Sequence, residues 1–480
     1  MSQLLPFQFK YHDNGRVLLV NECGDHYFVD HELFEDIISD RLTSDSEVYL
    51  DMQSRLFIAD QMIDSSNLET AAAKYRSRKA WLRDFTSLHM MVVTLRCTQR
   101  CEYCQASCAD LDASKYDMSP ATARTIVDTI FQSPSKTIKI EFQGGEPTLN
   151  WEVVKETVTY AGKKINGTGK NLDFVLCTNL TGITEEQLIF CRDNGIYLST
   201  SLDGPAAIHD RHRILRSGDG SYDFFRRNLD LARRIVGEDN VDALMTTTAV
   251  SLHKMPEVID EYINLGFNGI FIRSLNPYGF AAEQAERLGY DMADFVASYI
   301  EALKYIFTVN KKMFFPEHFA SLLLARILTP FPTGFVDLQS PAGVGISGAI
   351  YDYDGVVYPS DEARMLARMG DAHFALGNVR MDSYHDIFGG TKLRNIINQA
   401  CVEVTPSCAY CVYQAYCGAD PVRNYLESGQ ESRNMAGTPF CVKHQGIFDY
   451  LFSVLADMCE EEEDIIWSWI VNSPSVATHA

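Results

Sequence analysis

Apolar and polar positions along the chain follow one rhythm up to about residue 85 and another beyond it. In the first stretch, Phe7–Tyr11, 16–20 and 26–29 read as short strands. The last two are joined by the turn Asn21-Glu22-Cys23-Gly24-Asp25, and His31–Ile38 reads as a short helix. Residues 1–85 are therefore expected to form a small α+β unit. From residue 88 strands and helices alternate. The apolar, β-branched run 88–95 reads as a buried strand, and a helix over 121–131 follows, opened by Ser119 as cap and Pro120 at the first helical position. The alternation continues with strand 138–142, helix 151–165, strand 172–177 and helix 184–192, the last opened by the capping box of Thr184 and Gln187. Strand 196–201, helix 224–235, strand 243–250, helix 256–265 and strand 269–275 complete it. Six strand-helix units predict a parallel sheet with helices outside, an open (β/α)6 TIM-type partial barrel rather than a closed eightfold one. Ligands of such sheets sit at the carboxyl ends of the strands.

Residues 282–328 read as bridging helices, clearest over 291–307, so the barrel unit spans 86–328. A region of different texture occupies 329–445: glycine-rich at 334–348, then a hairpin pattern over 351–360 turning at Asp354-Gly355, then a cysteine group. The remaining unit, 446–480, begins in a helix read over about 445–458, with Ile447, Tyr450, Leu451, Val454 and Leu455 on one face. The acidic run 460–464 reads as a solvated face, and 472–480 as a polar, frayed end.

Composition narrows the partners. A chain of 480 residues, 46% hydrophobic and 11% aromatic, has material for two or three cores. Its 42 Lys and Arg against 64 Asp and Glu leave a formal charge of -22, which repels phosphate backbones, so nucleic acid is excluded as a partner and a neutral or basic peptide is easier to accommodate. No apolar run approaches the roughly 20 residues of a membrane span, and the first six residues lack the pattern of a signal peptide. The expectation is a cytoplasmic protein with no membrane partner. Thirteen cysteines in that compartment do not read as a disulfide framework, and seven of them fall at metal-ligand spacings.

The first group is Cys97, Cys101 and Cys104, a CxxxCxxC run directly after the first barrel strand. Three thiolates on one loop can hold three irons of a 4Fe-4S cluster and leave the fourth open to a small molecule that chelates through an amine and a carboxylate. The Tyr103 ring offers packing for an adenine. Zinc is the alternative, but no partner pair of ligands lies nearby. The second group, Cys408, Cys411, Cys417 and Cys441, supplies four thiolates, a complete set for a closed cluster or for zinc. Between the groups, polar residues gather where strands end. Gly144-Gly145-Glu146-Pro147 offers close main-chain approach and a carboxylate for an ammonium group, with a plain tight turn as the alternative. Thr178 and Asn179 follow the third strand. Ser201 and Asp203 suit ribose hydroxyls or helix capping, and Arg213 suits a carboxylate or a surface salt bridge. Thr246, Thr247, Thr248 and Arg273 are explained equally well by packing.

The cysteine loop, with its aromatic before the last thiol, and the strand-end segments GGEP, SLDG and HDxxR resemble the radical S-adenosylmethionine (SAM) enzymes. The hairpin, the Leu376-Gly377-Asn378 segment and the cysteine-rich end resemble the SPASM domain that follows the radical domain in peptide-modifying members. The stretch Tyr358 to Met365, with GGEPTLNW and CGADP, is most similar to maturases of His-Xaa-Ser repeat peptide systems.

This resemblance implies a SAM-binding 4Fe-4S cluster on Cys97, Cys101 and Cys104, with Tyr103, Gly144, Gly145, Glu146, Pro147, Thr178, Asn179, Ser201, Asp203 and Arg213 around SAM. It implies reductive cleavage of SAM to a 5′-deoxyadenosyl radical, and hydrogen abstraction from a ribosomally made precursor peptide. An oxidative side-chain crosslink is the expected product, and flavodoxin or ferredoxin the expected electron donor. Ser360 and Pro421 stand where that domain usually has cysteines, so one auxiliary 4Fe-4S cluster is expected, on Cys408, Cys411, Cys417 and Cys441. Asp361 and Glu362 beside the lost site are the candidate general bases, with a salt bridge to Arg364 as the alternative. Cys108 and Cys401 read as spare thiols. The N-terminal unit loosely resembles leader-peptide recognition elements, or serves only as a packing cap. Two rival readings are a sulfatase-maturase-like protein oxidase and a non-catalytic iron–sulfur or zinc protein.

Overall fold

A computed structural model describes residues 2–12, 15–60 and 65–472. The strands in chain order are β1 (Ser2–Leu4), β2 (Phe7–Tyr11), β3 (Arg16–Asn21), β4 (His26–Asp30), β5 (Ile58–Asp60), β6 (Leu88–Thr94), β7 (Thr137–Gly144), β8 (Asn171–Cys177), β9 (Ile196–Ser201), β10 (Val241–Leu244), β11 (Gly348–Tyr351), β12 (Val356–Tyr358) and β13 (Gly377–Asn378). One sheet of eight, ordered β10-β9-β8-β7-β6-β11-β12-β13, forms the centre. From β10 to β6 all neighbours are parallel, with helices in every crossover. Helix Pro120–Ile130 begins as expected: the Ser119 hydroxyl accepts the Thr122 amide, a cap worth about 1 kcal/mol. The box of Thr184 and Gln187 opens helix Glu185–Asp193.

The architecture is the expected partial barrel of parallel strands, with two differences in detail. Strand 243–250 is shorter: β10 leaves the ladder after Leu244, because the Thr246 amide donates to Asp203 Oδ1 at 3.1 Å and the Thr247 amide to the Arg273 carbonyl at 2.9 Å. The sixth segment, 269–275, is not a ladder strand. Glu317 takes the place of a neighbouring strand, its Oε1 accepting the Ile272 amide at 2.9 Å while its Oε2 accepts from Ala320 at 2.6 Å and so caps helix His318–Leu328. On the other edge β11 pairs parallel with β6, Gly348 opposite Leu88, so the sheet runs across the expected boundary at 329. The hairpin to β12 turns at Gly355, whose φ of +88° favours glycine.

The N-terminal sheet β2-β3-β4 is antiparallel. Alternate residues of β3 face two cores: Val17 and Leu19 meet Phe34, Ile37 and Met52, whereas Leu18 and Val20 join the main core. Lys10–Asp449 at 2.5 Å and Arg16–Asp457 at 3.0 Å fasten this sheet to helix Pro439–Asp457. That helix begins earlier than expected, since Thr438 caps it and Pro439 is its first residue, which places Cys441 in its first turn. The acidic run forms the first turns of a further helix, Glu460–Val471, whose Trp469 stacks on Phe307 at 5.1 Å. The expected frayed end lies outside the described residues from 473 on. Among the described residues no helix is long and apolar enough to cross a membrane.

Candidate active site

The cysteine loop leaves β6 and is clasped by the end of β7. A Cβ on Gly144 would stand 2.0 Å from the Thr94 carbonyl oxygen, and one on Gly145 2.2 Å from that of Arg96, so both positions admit only glycine. Through this close approach the Gly145 amide donates to Thr94 O at 2.9 Å and the Glu146 amide to Arg96 O at 2.7 Å. The loop closes on itself, Ala109 N donating to Leu95 O at 2.7 Å, and Arg216 Nε holds the Cys97 carbonyl at 2.7 Å. Cys97, Cys101 and Cys104 come to one cavity of about 340 Å3, together with Tyr103, Gly144, Gly145, Thr178, Asn179, Ser201 and Arg213.

Electrostatics distinguish the three thiols. Hydrogen bonding from Cys108 and from the Ala106 amide, with the Arg364 charge, outweighs burial and lowers Cys104 below the usual thiol range. Burial pushes Cys101 far up. The Cys97 sulfur receives the Gln99 amide at 3.4 Å and Asn179 Nδ2 at 3.6 Å. A cationic cluster core would supply the counter-charge that a buried thiolate lacks, so the chemistry of the donor set suits a cluster. Among the described residues no three ligating groups are gathered closely enough to hold a single metal ion.

Three of the expected SAM contacts stand behind the cavity wall. Glu146 is buried and its carboxylate is occupied, accepting from the Thr148 hydroxyl at 2.7 Å, the Thr178 hydroxyl at 2.8 Å and the Asn179 amide at 2.8 Å. It fastens the end of β7 to the end of β8. Pro147 opens the buried turn Pro147–Asn150. Asp203 is 1% exposed and receives the Tyr103 hydroxyl, Arg213 Nε at 3.0 Å and the Thr246 amide at 3.1 Å. Burial raises Asp203, but the Arg213 guanidinium and these hydrogen bonds bring it below the usual carboxylate range. Arg213 also lies 5.3 Å over the Tyr103 ring, which fixes the ring's attitude at the cavity wall.

Residues beyond the expected set also line this cavity, among them Glu141, Gln143, Cys177 and Thr200. Glu141 Oε1 accepts from Gln143 Nε2 at 2.6 Å and from the Cys177 thiol at 3.3 Å. The Thr200 hydroxyl is buried with no hydrogen-bond partner. A signal for the first two was present: they interrupt Ile138, Ile140 and Phe142 at alternate positions, a polar face on a strand whose other face is core.

A second chamber of about 350 Å3 adjoins the first, and Glu141, Gln143, Leu244, Arg273 and Asp361 line both. Beyond that shared wall it carries Glu362, Asp337 and Lys443. Burial, with the neighbouring Glu362 charge, raises Asp361 to about 7 against the opposing pull of Arg364 and Arg273. Burial lowers Lys443 to about 8. The ion-pair partner of Arg364 is Asp352, at 3.5 Å, rather than Asp361 or Glu362. Ser360 and Pro421 both start helices: Ser360 accepts the Ala363 amide at 3.2 Å to cap Asp361–Arg368, and Pro421 is the first residue of Pro421–Ser428.

Cys408, Cys411, Cys417 and Cys441 ring a third cavity of about 290 Å3, walled by Phe9, Tyr413, Phe440 and Phe448. Burial and the charges of the neighbouring thiols raise Cys408 to about 11 and push Cys417 further up. Four such thiols can ionise together only around a cation, which is the condition a metal cluster meets.

The three thiols thus stand on an open site at the carboxyl end of the first strand of a parallel partial barrel. Residues 91–262, the stretch that contains the first cysteine group, match the family model of the Radical SAM superfamily. The chain is similar to the cysteine-type anaerobic sulfatase-maturating enzyme of Clostridium novyi (strain NT), 23% identical over 77% of this chain and 96% of that protein. The corresponding enzyme of Clostridium perfringens (strain ATCC 13124) is 24% identical over 75% and 95%. Among solved structures, native anSMEcpe with bound AdoMet and Cp18Cys peptide aligns with a TM-score of 0.63 at 19% identity, over 77% of this chain and 98% of that one. Streptococcus suis SuiB bound to precursor peptide SuiA aligns at 0.54 and 12% identity over 91% and 99%.

Proposed function

We propose that this chain is a radical SAM peptide maturase that removes hydrogen from a side chain of a precursor peptide and leaves an oxidised product, a crosslink in the preferred case. The observation that supports this reading is the shared wall: the cavity of Cys97, Cys101 and Cys104 is separated only by Glu141, Gln143, Leu244, Arg273 and Asp361 from a chamber large enough for a peptide side chain. Solved relatives with a bound peptide, anSMEcpe and SuiB, support a peptide as the guest.

Cys97, Cys101 and Cys104 hold the first cluster, and the open position with Tyr103, Gly144, Gly145, Thr178, Asn179, Ser201 and Arg213 receives SAM. Glu146, Pro147 and Asp203 brace that wall from behind. The bound pair supplies one-electron cleavage of SAM and a species that takes a hydrogen atom from carbon, as its class does. Asp361 stands on the wall between the two spaces and takes up the proton released as the substrate is oxidised, while Glu362 keeps its affinity for that proton high. Cys408, Cys411, Cys417 and Cys441 hold one auxiliary 4Fe-4S cluster, an acceptor for the remaining electron. Flavodoxin or ferredoxin is the donor class. The segment around Ser360 favours a His-Xaa-Ser type of system.

The test is anaerobic reconstitution followed by dithionite and SAM. Wild type is expected to hold about eight irons and release 5′-deoxyadenosine, and the Cys97/Cys101/Cys104 triple alanine variant about four irons and none. Zinc at the four C-terminal thiols would remove the electron acceptor and replace the oxidative reading with a redox-neutral one. Absence of deoxyadenosine from iron-loaded wild type would overturn the radical reading.

A further inference from the structure

One buried cation keeps donors to spare. Arg364 is 1% exposed, on the inner face of helix Asp361–Arg368 beside Ala363, Met365 and Leu366. Its NH1 donates to the Ala106 carbonyl at 3.3 Å, and its Nε lies 3.5 Å from Asp352 Oδ1. Nε and NH2 nevertheless have no hydrogen-bond partner. A buried guanidinium with spare donors is costly to keep unless its charge or shape serves something nearby.

What lies nearby is the turn that carries the third cysteine. Residues 104–108 form a tight reversal in which Ser107 adopts a φ of +50°, and the Cys104 carbonyl is held by the Phe280 amide at 3.0 Å. Arg364 holds the same turn from the opposite side in sequence, through Ala106. Asp352 follows directly on β11, the strand that pairs with β6, so the Asp352–Arg364–Ala106 chain joins the hairpin of the C-terminal unit to the cysteine loop.

We propose that Arg364 is a positioning residue that holds the Cys104 turn in shape and sets the reduction potential of the cluster bound there by placing a fixed positive charge beside it. This rests on the cluster reading above. Reduction adds negative charge to a cluster, so a cation held in a low-dielectric wall favours the reduced form and moves the potential up. Asp352 offsets part of that charge. The C-terminal unit thereby reaches the first cluster through one side chain as well as through the sheet.

The experiment is a potentiometric titration of the reconstituted full chain, following the reduced-cluster EPR signal that changes on adding SAM. Arg364→Met should shift that midpoint to more negative values with iron content unchanged. Arg364→Lys, which keeps the charge, should stay nearer wild type. Asp352→Asn, which removes the counter-charge, should shift it in the positive direction and serves as the test should Arg364→Met fail to fold. A purely structural role would not give opposite signs. Unmoved midpoints in Arg364→Met and Asp352→Asn at full iron, or the same direction for both, would overturn the proposal alone. An iron count that does not fall in the Cys97/Cys101/Cys104 triple alanine variant would overturn the cluster reading beneath it.

Discussion

The two cysteine centres are built on opposite plans. Cys97, Cys101 and Cys104 sit on one short loop whose shape is imposed by main chain, the ends of β6 and β7 meeting where only glycine fits. Their cavity is walled by polar strand-end residues and shares a wall with a second chamber. Cys408, Cys411 and Cys417 come from a segment with little regular structure, Cys441 comes from the first turn of a helix, and their cavity is walled by aromatic side chains, one of them Phe9 from β2. Three thiols with polar surroundings suit a site where a substrate must reach the metal. Four thiols in a mainly apolar wall suit a complete ligand set that exchanges electrons or holds the unit together without taking a substrate.

The difference is sharpest under single substitutions. Cys101→Ala should abolish 5′-deoxyadenosine formation, whereas Cys411→Ala should leave SAM cleavage in place and abolish peptide oxidation, with product mass as the readout. Equal loss of SAM cleavage in both variants would erase the proposed division of labour. Gly145→Ala comes next. Its Cβ would collide with the Arg96 and Leu95 carbonyls, so SAM cleavage should fall by about tenfold or more although no ligand is removed, since a displacement of about 1 Å costs about 10²-fold.

A third measurement concerns pH. Asp361 is raised to about 7 by burial and by Glu362, so the folded protein keeps a proton that the unfolded chain has already released. Its contribution therefore favours folding at low pH and is lost as pH rises from the ordinary carboxylate range through about 7. Asp361→Asn should flatten that part of a denaturation-midpoint profile. The same variant should remove the limb of peptide oxidation that rises with pH through about 7, leaving SAM cleavage little changed. The smallest effect is expected at the cap: Ser360→Ala should cost about 1 kcal/mol of stability by urea unfolding, because the residue that stands in place of a cysteine now starts a helix.

Much of this was legible in the sequence because it is local. β2 to β4, β6 to β9 and the helices opened by Ser119 and Thr184 follow from short-range pattern, and the two cysteine groups announce themselves by spacing; the short β1 and β5, which pair only with each other, were not legible. The sixth barrel segment was not legible, because in place of a ladder it has a single main-chain bridge at Ile270 to the 316–318 segment and the Glu317 carboxylate, about 45 residues away. Nor was the parallel pairing of β11 with β6, which joins segments some 260 residues apart. Glu146 and Asp203 have the composition of ligand groups, yet each carboxylate is filled by neighbours from other loops, and no one-dimensional pattern records that saturation.

The sequence by itself determined the alternating elements, the thiol spacings and the glycines that the cysteine loop requires, because periodicity, capping and φ preferences act over a few residues. Tertiary structure alone decided which polar groups face the cavities, that Asp361 stands on the wall between two spaces, and that Arg364 reaches the Cys104 turn. Those outcomes depend on burial and on the charges brought near each group, quantities that exist only once distant segments have packed.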